Sequence, residues 1–128
     1  MKYFFEKTTN YTFEEAVERV KEELKKEGFG VLSEINIHEK LKEKLGIDFR
    51  QYRILGACNP AFDYKALQEE ENIGTMLPCN VIIQELESGK TEVAAVDPVA
   101  SMQSVGNERL VSIADEVQQR LKQVINNV

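Results

Sequence analysis

The chain has 128 residues, of which 42% are hydrophobic and 30% are charged. A chain of this length predicts one domain over residues 1–128, with enough buried surface for a real core. The net charge is −6, which disfavours nonspecific binding to nucleic acid or to an anionic membrane. The sequence has no apolar run long enough for a transmembrane helix, and Glu6 interrupts any signal-peptide core. We therefore expect a cytoplasmic protein.

The first predicted elements are a strand and an amphipathic helix. Residues 3–8 are short and rich in aromatics, which is typical of a strand. Thr12 and Glu15 have the spacing of a capping box, in which each side chain accepts a hydrogen bond from the other residue's backbone N–H. Gly28 is expected to end the helix in the left-handed conformation. The apolar stripe of the helix comprises Phe13, Val17, Val20 and Leu24.

A second strand and a short helix are predicted next. Residues 29–36 alternate, with Phe29, Val31, Ser33 and Ile35 on one side, although Leu32 interrupts the pattern. A short helix is expected from about residue 38 to residue 45, ended by Gly46. Its apolar residues are Leu41 and Leu45.

A third strand is predicted at residues 52–57, followed by another helix. Asn59 is expected to cap this helix, because Pro60 fits its first position. One face of the helix carries Ala61, Tyr64 and Leu67.

The last third of the chain predicts a hairpin and a long helix. Residues 79–86 and 91–96 are strand-like, and residues 87–90 form the loop between them. The final helix, capped by Asn107, has an apolar stripe at Leu110, Ile113, Ala114, Val117, Leu121, Val124 and Ile125. The predicted order is β-α-β-(α)-β-(α)-β-β-α. This order indicates the α+β class: a curved, mainly antiparallel sheet with two long helices packed on one face.

Two stretches around the cysteines, residues 52–60 and 76–81, resemble the domain of unknown function family 302. Residues 28–35 and 41–46 are similar to an earlier segment of that family, so the resemblance covers essentially the whole chain. It implies a sheet similar to that of the TATA-binding protein. It implies no activity, because none is established for the family, and a shared fold does not imply DNA binding.

The sharpest candidate site is a repeated Cys-Asn dipeptide, formed by Cys58 with Asn59 and Cys79 with Asn80. If the strands carrying them are neighbours, both pairs lie near one end of the sheet, beside a helix N-terminus that can lower a thiol pKa. We expect a ligand-binding pocket there, with the two sulfurs within about 10 Å of each other and no requirement for a disulfide. In the competing interpretation, the cysteines are only buried packing residues and Asn59 is only a cap.

Two other functions remain open from the sequence. One is a thiol-dependent enzyme or redox sensor that uses Cys58 and Cys79. The other is a metal site completed across a dimer, because the chain's only histidine, His38, gives one subunit too few soft ligands for structural zinc. His38 itself is expected at the surface. No complete catalytic set is visible, so no catalytic residue, resident metal or cofactor is assigned.

A homodimer is the expected assembly, and a small molecule is a possible ligand. A sheet covered on one face leaves its other face, or an edge, available to a second copy. The sequence does not indicate which of these two surfaces contacts the second copy.

Overall fold

Strands and helices are mixed along residues 2–128, the part of the chain that the computed structural model describes. The strands are β1 (Phe4–Thr9), β2 (Gly30–Asn36), β3 (Tyr52–Cys58), β4 (Cys79–Glu85) and β5 (Thr91–Val96). The helices are α1 (Phe13–Lys26), α2 (Ile37–Leu45), α3 (Pro60–Glu69), α4 (Pro98–Met102) and α5 (Val111–Asn127). Short 3-10 helices occupy Glu71–Met76, Gln103–Val105 and Glu108–Leu110. The predicted order and class are confirmed, and α4 and the 3-10 helices are additions that the sequence did not predict.

The described strands form one antiparallel sheet in the order β1-β5-β4-β3-β2. The predicted hairpin therefore supplies two inner strands, and β1 and β2 are the two edges. Within the ladder, Ala57 pairs with Cys79 and Gly56 pairs with Asn80. This register places the beginning of β4 beside the end of β3.

The core lies between one face of the sheet and helices α1 and α5. Alternate strand residues point to this face, and the buried ones include Leu55, Val81, Ile83, Val93 and Ala95. The α1 stripe is buried as predicted. The α5 stripe is buried at Ala114, Val117, Leu121, Val124 and Ile125. The other set of alternate strand residues points away from α1 and α5, and we call this side the opposite face.

The alternation predicted for β2 is wrong beyond Leu32. The pairing of β2 with β3 shifts between Val31 and Ser33, and such a bulge adds one residue to one strand. Val31 pairs with the core-facing Ala57, whereas Ser33 pairs with Gly56 on the opposite face. Leu32, which interrupted the pattern in the sequence, is the extra residue.

Two predicted apolar helix faces are not buried. In α3, the shared face of Ala61, Tyr64 and Leu67 is exposed, and the buried residue is Ala66. In α2, no residue is buried, and Leu45 is 65% exposed. Helical spacing identifies residues that share a face, but it does not say whether that face meets the core.

Candidate functional site

The two Cys-Asn dipeptides lie at the same end of neighbouring strands, because β3 ends where β4 begins. Their side chains, however, have different surroundings. Cys79 is buried in the core, and Asn59 is also buried. Cys58 is half-buried, and Asn80 is exposed. The dipeptides are therefore neighbours in the sheet without presenting their four side chains to one cavity.

Cys58 and Cys79 share an environment with Asp63, in the first turn of α3. The Cys58 thiol donates a hydrogen bond of 2.7 Å to Asp63 Oδ2. Burial, with the Asp63 hydrogen bond and charge, raises the pKa of Cys58 to about 11. Burial, together with the charges of Asp63 and Cys58, raises the pKa of Cys79 to about 12.

This electrostatic environment opposes thiol catalysis. Nucleophilic and redox-active cysteines have depressed pKa values and lie near positive groups. Both thiols here have raised pKa values and a carboxylate beside them. Among residues 2–128, no group of three or more His, Cys, Asp or Glu side chains is arranged to hold a metal ion. Neither thiol has the depressed pKa that is typical of a reactive cysteine.

Asn59 occupies the N-cap position of α3 as predicted, but the prediction that its side chain caps the helix is wrong. Its Nδ2 instead donates to the Glu27 carbonyl oxygen at 3.3 Å, at the end of α1. Arg120 Nη1 of α5 donates to the same oxygen at 3.1 Å. A helix end leaves carbonyl groups without intrahelical partners, and Asn59 satisfies one of them. Its evident role is to join α1 to α3.

Asn80 lies on the opposite face of the sheet, at the wall of a groove of about 640 Å³. The floor of this groove comes from alternate residues of β1, β4 and β5. At one end, the segment from Thr75 to Asn80 forms a wall. At the rim lie Tyr3, Tyr52 and Ser101. The strand residues whose side chains form the floor include Phe4, Glu6, Ile82, Gln84, Glu92 and Ala94.

The groove combines an apolar floor with carboxylates. Gln84 Nε2 donates to Glu92 Oε1 at 2.9 Å, and Arg50 Nε donates to Gln84 Oε1 at 2.8 Å. These two bonds orient the Gln84 amide. Glu6 accepts from the Lys2 ammonium at 2.8 Å in an exposed pair. Of the described residues that line the groove, none is Lys or Arg.

His38 is half-buried rather than freely exposed at the surface. His38 Nδ1 lies 3.0 Å from the backbone nitrogen of Tyr52 and 3.2 Å from its carbonyl oxygen. The ring also meets the edge of Phe13 at 6.1 Å between centroids. His38 thus joins α2 to the start of β3, and it is outside the groove.

The sequence interpretation missed most residues of the groove. Glu6, Gln84 and Glu92 stand at period-2 positions opposite the core residues of their strands, which was a usable indication. Their proximity was not predictable, because it depends on the pairing of β1 with β5 and of β5 with β4.

No helix among residues 2–128 is both long and apolar enough to cross a membrane.

Comparison with known proteins identifies the family to which the chain belongs. The family model described as domain of unknown function DUF302 matches residues 5–128. The chain is similar to a solved structure, described as the crystal structure of uncharacterized conserved protein DUF302 from Bacillus stearothermophilus, with 30% sequence identity and a TM-score of 0.93. That match covers 99% of this chain and 98% of the other. No match was found among curated proteins. Because the family model spans nearly the whole chain, the protein belongs to the DUF302 family, whose function is uncharacterised.

Proposed function

We propose that this protein is a small-molecule-binding module and that its site is the groove on the opposite face of the sheet. The observation that carries the proposal is the groove itself, a concavity of about 640 Å³. Ligand pockets commonly have volumes of about 300–1,000 Å³ and mostly apolar walls with a few oriented polar groups. The groove has both features, in its apolar floor and in its hydrogen-bonded Gln84.

The ligand class follows from the groove's lining. Phe4, Ile82 and Ala94 offer an apolar floor for a flat or aliphatic body. Glu92 supplies a carboxylate that accepts only from the neutral Gln84 amide among the described side-chain hydrogen bonds, whereas Glu6 already pairs with Lys2 at the exposed edge. Carboxylates accept strong hydrogen bonds from cationic donors. The expected ligand is an apolar molecule that carries an amine or another positively charged donor.

The proposal revises the roles of the Cys-Asn residues. Asn80 and the chain at Cys79 belong to the proposed site, because both line the groove. Cys58 and Asn59 do not line the groove. They donate hydrogen bonds to Asp63 and to the Glu27 carbonyl oxygen, and so hold α3 in place next to the proposed site. Both cysteines are proposed to remain reduced thiols in the cytoplasm, where disulfides are rare. Neither a nucleic acid nor a membrane is proposed as a partner, since the net charge is −6.

The test is a matched pair of aromatic probes, tryptamine and indole-3-acetate, titrated into isotope-labelled protein. We expect amide shifts from tryptamine at the groove residues of β4 and β5, with weaker effects from the carboxylate probe. Glu92→Gln removes the charge and keeps the shape, so tryptamine binding is expected to weaken about tenfold, equivalent to about 1.4 kcal/mol.

Two controls make this test decisive. Ile82→Trp fills the groove floor and is expected to abolish the shifts. Leu67→Trp adds the same ring on the exposed face of α3 and is expected to leave binding unchanged. Equal binding of both probes contradicts the cationic class, and tryptamine shifts confined to residues outside the groove contradict the site.

A further inference from the structure

The β2 edge of the sheet combines exposed apolar side chains with the lack of a strand partner in the described chain. Leu32 is 69% exposed and Ile35 is 42% exposed, and no residue of β2 is fully buried. Within residues 2–128, β2 pairs with β3 alone, so its outer edge has no strand partner. Unpaired N–H and C=O groups along an edge strand are a template for pairing with another chain.

The other edge, β1, is protected. Lys7 stands at a core-facing position of β1 and donates to the Asn126 and Val128 carbonyl oxygens at 3.0 and 2.7 Å. Inward-pointing charges and lysines on edge strands are devices that prevent edge pairing. Between residues 30 and 36, β2 has no Lys, Arg or Pro. Its one charge, Glu34, is also core-facing, because it pairs with the buried Leu55, but Lys21 neutralises it at 2.8 Å. The bulge at Leu32 interrupts only the beginning of the strand.

Exposed apolar side chains continue from β2 into the segment that follows it. Helix α2 begins directly after β2 and buries none of its residues. An isolated helix of this length is marginal in water unless an apolar face packs against something. The large apolar side chains exposed on this segment are Leu45 (65%), Ile47 (46%) and Phe49 (39%).

The charge of this part of the surface suits a second copy of the same chain. Residues 30–50 contain four acidic and four basic residues, so their net charge is zero in a chain of net charge −6. Two copies that meet here avoid the repulsion that the acidic remainder would cause. The acidic residues are Glu34, Glu39, Glu43 and Asp48, and the basic residues are Lys40, Lys42, Lys44 and Arg50.

We propose that a second copy of this chain pairs antiparallel along β2, joining the two sheets across a two-fold axis. A two-fold axis perpendicular to the strands brings β2 against itself in opposite direction, so the same edge serves both copies. The β2-to-α2 segments of the two copies then bury their exposed apolar residues on each other. The bulge at Leu32 lies near the beginning of β2, so the pairing is centred on the regular part, residues 33–36.

The test is the solution mass over a wide range of protein concentration, from light scattering and sedimentation. The wild-type chain is expected to have the mass of two subunits at high micromolar concentration. Ile35→Lys puts like charges on both sides of the axis and is expected to raise the dimer Kd about a hundredfold. Leu32→Lys is expected to act in the same direction. Tyr64→Lys, on the exposed face of α3, is the matched control and is expected to leave the dimer intact.

Hydrogen exchange provides the second measurement. The β2 amides are expected to gain protection as wild-type protein concentration rises, and Ile35→Lys is expected to abolish that gain. A single-subunit mass at high micromolar concentration overturns the proposal. So does a dimer that survives Ile35→Lys but is disrupted by Ile82→Lys, because that result places the contact on the opposite face. Tryptamine binding to the Ile35→Lys variant tests the groove separately from the dimer.

Discussion

At Gly56 the lack of a side chain allows two other segments to close over β3. A Cβ at this position would lie 2.8 Å from Pro78 Cγ and would also meet Ser33 Oγ. Glycine inside a strand often marks such a close approach of another part of the chain. Because Pro78 lines the groove, the residue at position 56 helps to set the position of the groove wall.

Gly56→Ala is therefore expected to destabilise the protein by about 1–3 kcal/mol, since the added methyl group must displace both the Ser33 hydroxyl and the Pro78 ring. Urea unfolding measures this change. Gly30→Ala in β2 is the control, because a Cβ there meets no atom within 4 Å, and its effect is expected to stay within about 0.5 kcal/mol. Equal losses in the two variants would show that contact with Pro78 is not the cause.

Asp63 is expected to control the reactivity of Cys58. Burial is the largest cause of the raised pKa of Cys58, and the Asp63 hydrogen bond and charge add to it. Asp63→Asn is therefore expected to lower the pKa from about 11 part of the way toward the usual value for a thiol. Alkylation requires the thiolate, and the rate with iodoacetamide at mildly alkaline pH is therefore expected to increase. The measurement uses a Cys79→Ala background, so that one thiol reacts. Asp115→Asn, on the exposed side of α5, is the charge-matched control.

The raised pKa of Cys58 also determines how the stability of the folded protein changes with pH. A raised pKa means that the folded protein holds the thiol proton more tightly than the unfolded chain does. This contribution to stability is fully present below the pKa of the unfolded thiol, and it is lost as the pH rises through about 11. An alkylation rate that Asp63→Asn leaves unchanged would contradict the role of the carboxylate.

At the scale of single elements, local interactions were predictable and non-local ones were not. The capping box of α1 forms as predicted, with bonds of 3.0 and 3.2 Å between Thr12 and Glu15, because both partners lie within one turn. The start of α3 was also predicted. The partner of its Asn59 side chain was not, because Glu27 is distant in sequence. The exposure of the Tyr64 and Leu67 face of α3 was also not predictable, because it depends on which distant residues pack against the helix.

Asn59→Asp separates the two roles of this side chain. Asp is as good an N-cap residue as Asn, but a carboxylate cannot donate to the Glu27 carbonyl oxygen. If N-capping were the only role of this side chain, Asn59→Asp would leave the free energy of unfolding unchanged. We expect instead a loss of about 1 kcal/mol in urea unfolding, because the Glu27 carbonyl oxygen keeps only its Arg120 donor and faces a carboxylate. Thr12→Ser, which exchanges one capping hydroxyl for another, is the control and is expected to cost well under 1 kcal/mol.

At the scale of the whole molecule, the pleat of the sheet explains why the predicted site divides. Successive strand residues point to opposite faces, so Cys79 enters the core while Asn80 lines the groove. This division follows from the predicted strand itself and could have been read from the sequence. The presence of Glu6 and Glu92 in one groove could not be predicted, because it requires knowing that β1 lies beside β5.

Alanine substitutions at two leucines are expected to separate the stability of the folded subunit from that of the proposed dimer. Leu121 is fully buried in the core, and Leu45 is 65% exposed on α2. Leu121→Ala is expected to cost about 2–5 kcal/mol at every protein concentration, because it leaves a cavity inside each subunit. Leu45→Ala is expected to cost under about 0.5 kcal/mol in dilute protein. Its cost is expected to grow with concentration, because association stabilises the folded state by mass action. Urea midpoints at several concentrations measure both effects, and a concentration-independent cost for Leu45→Ala would remove α2 from the interface.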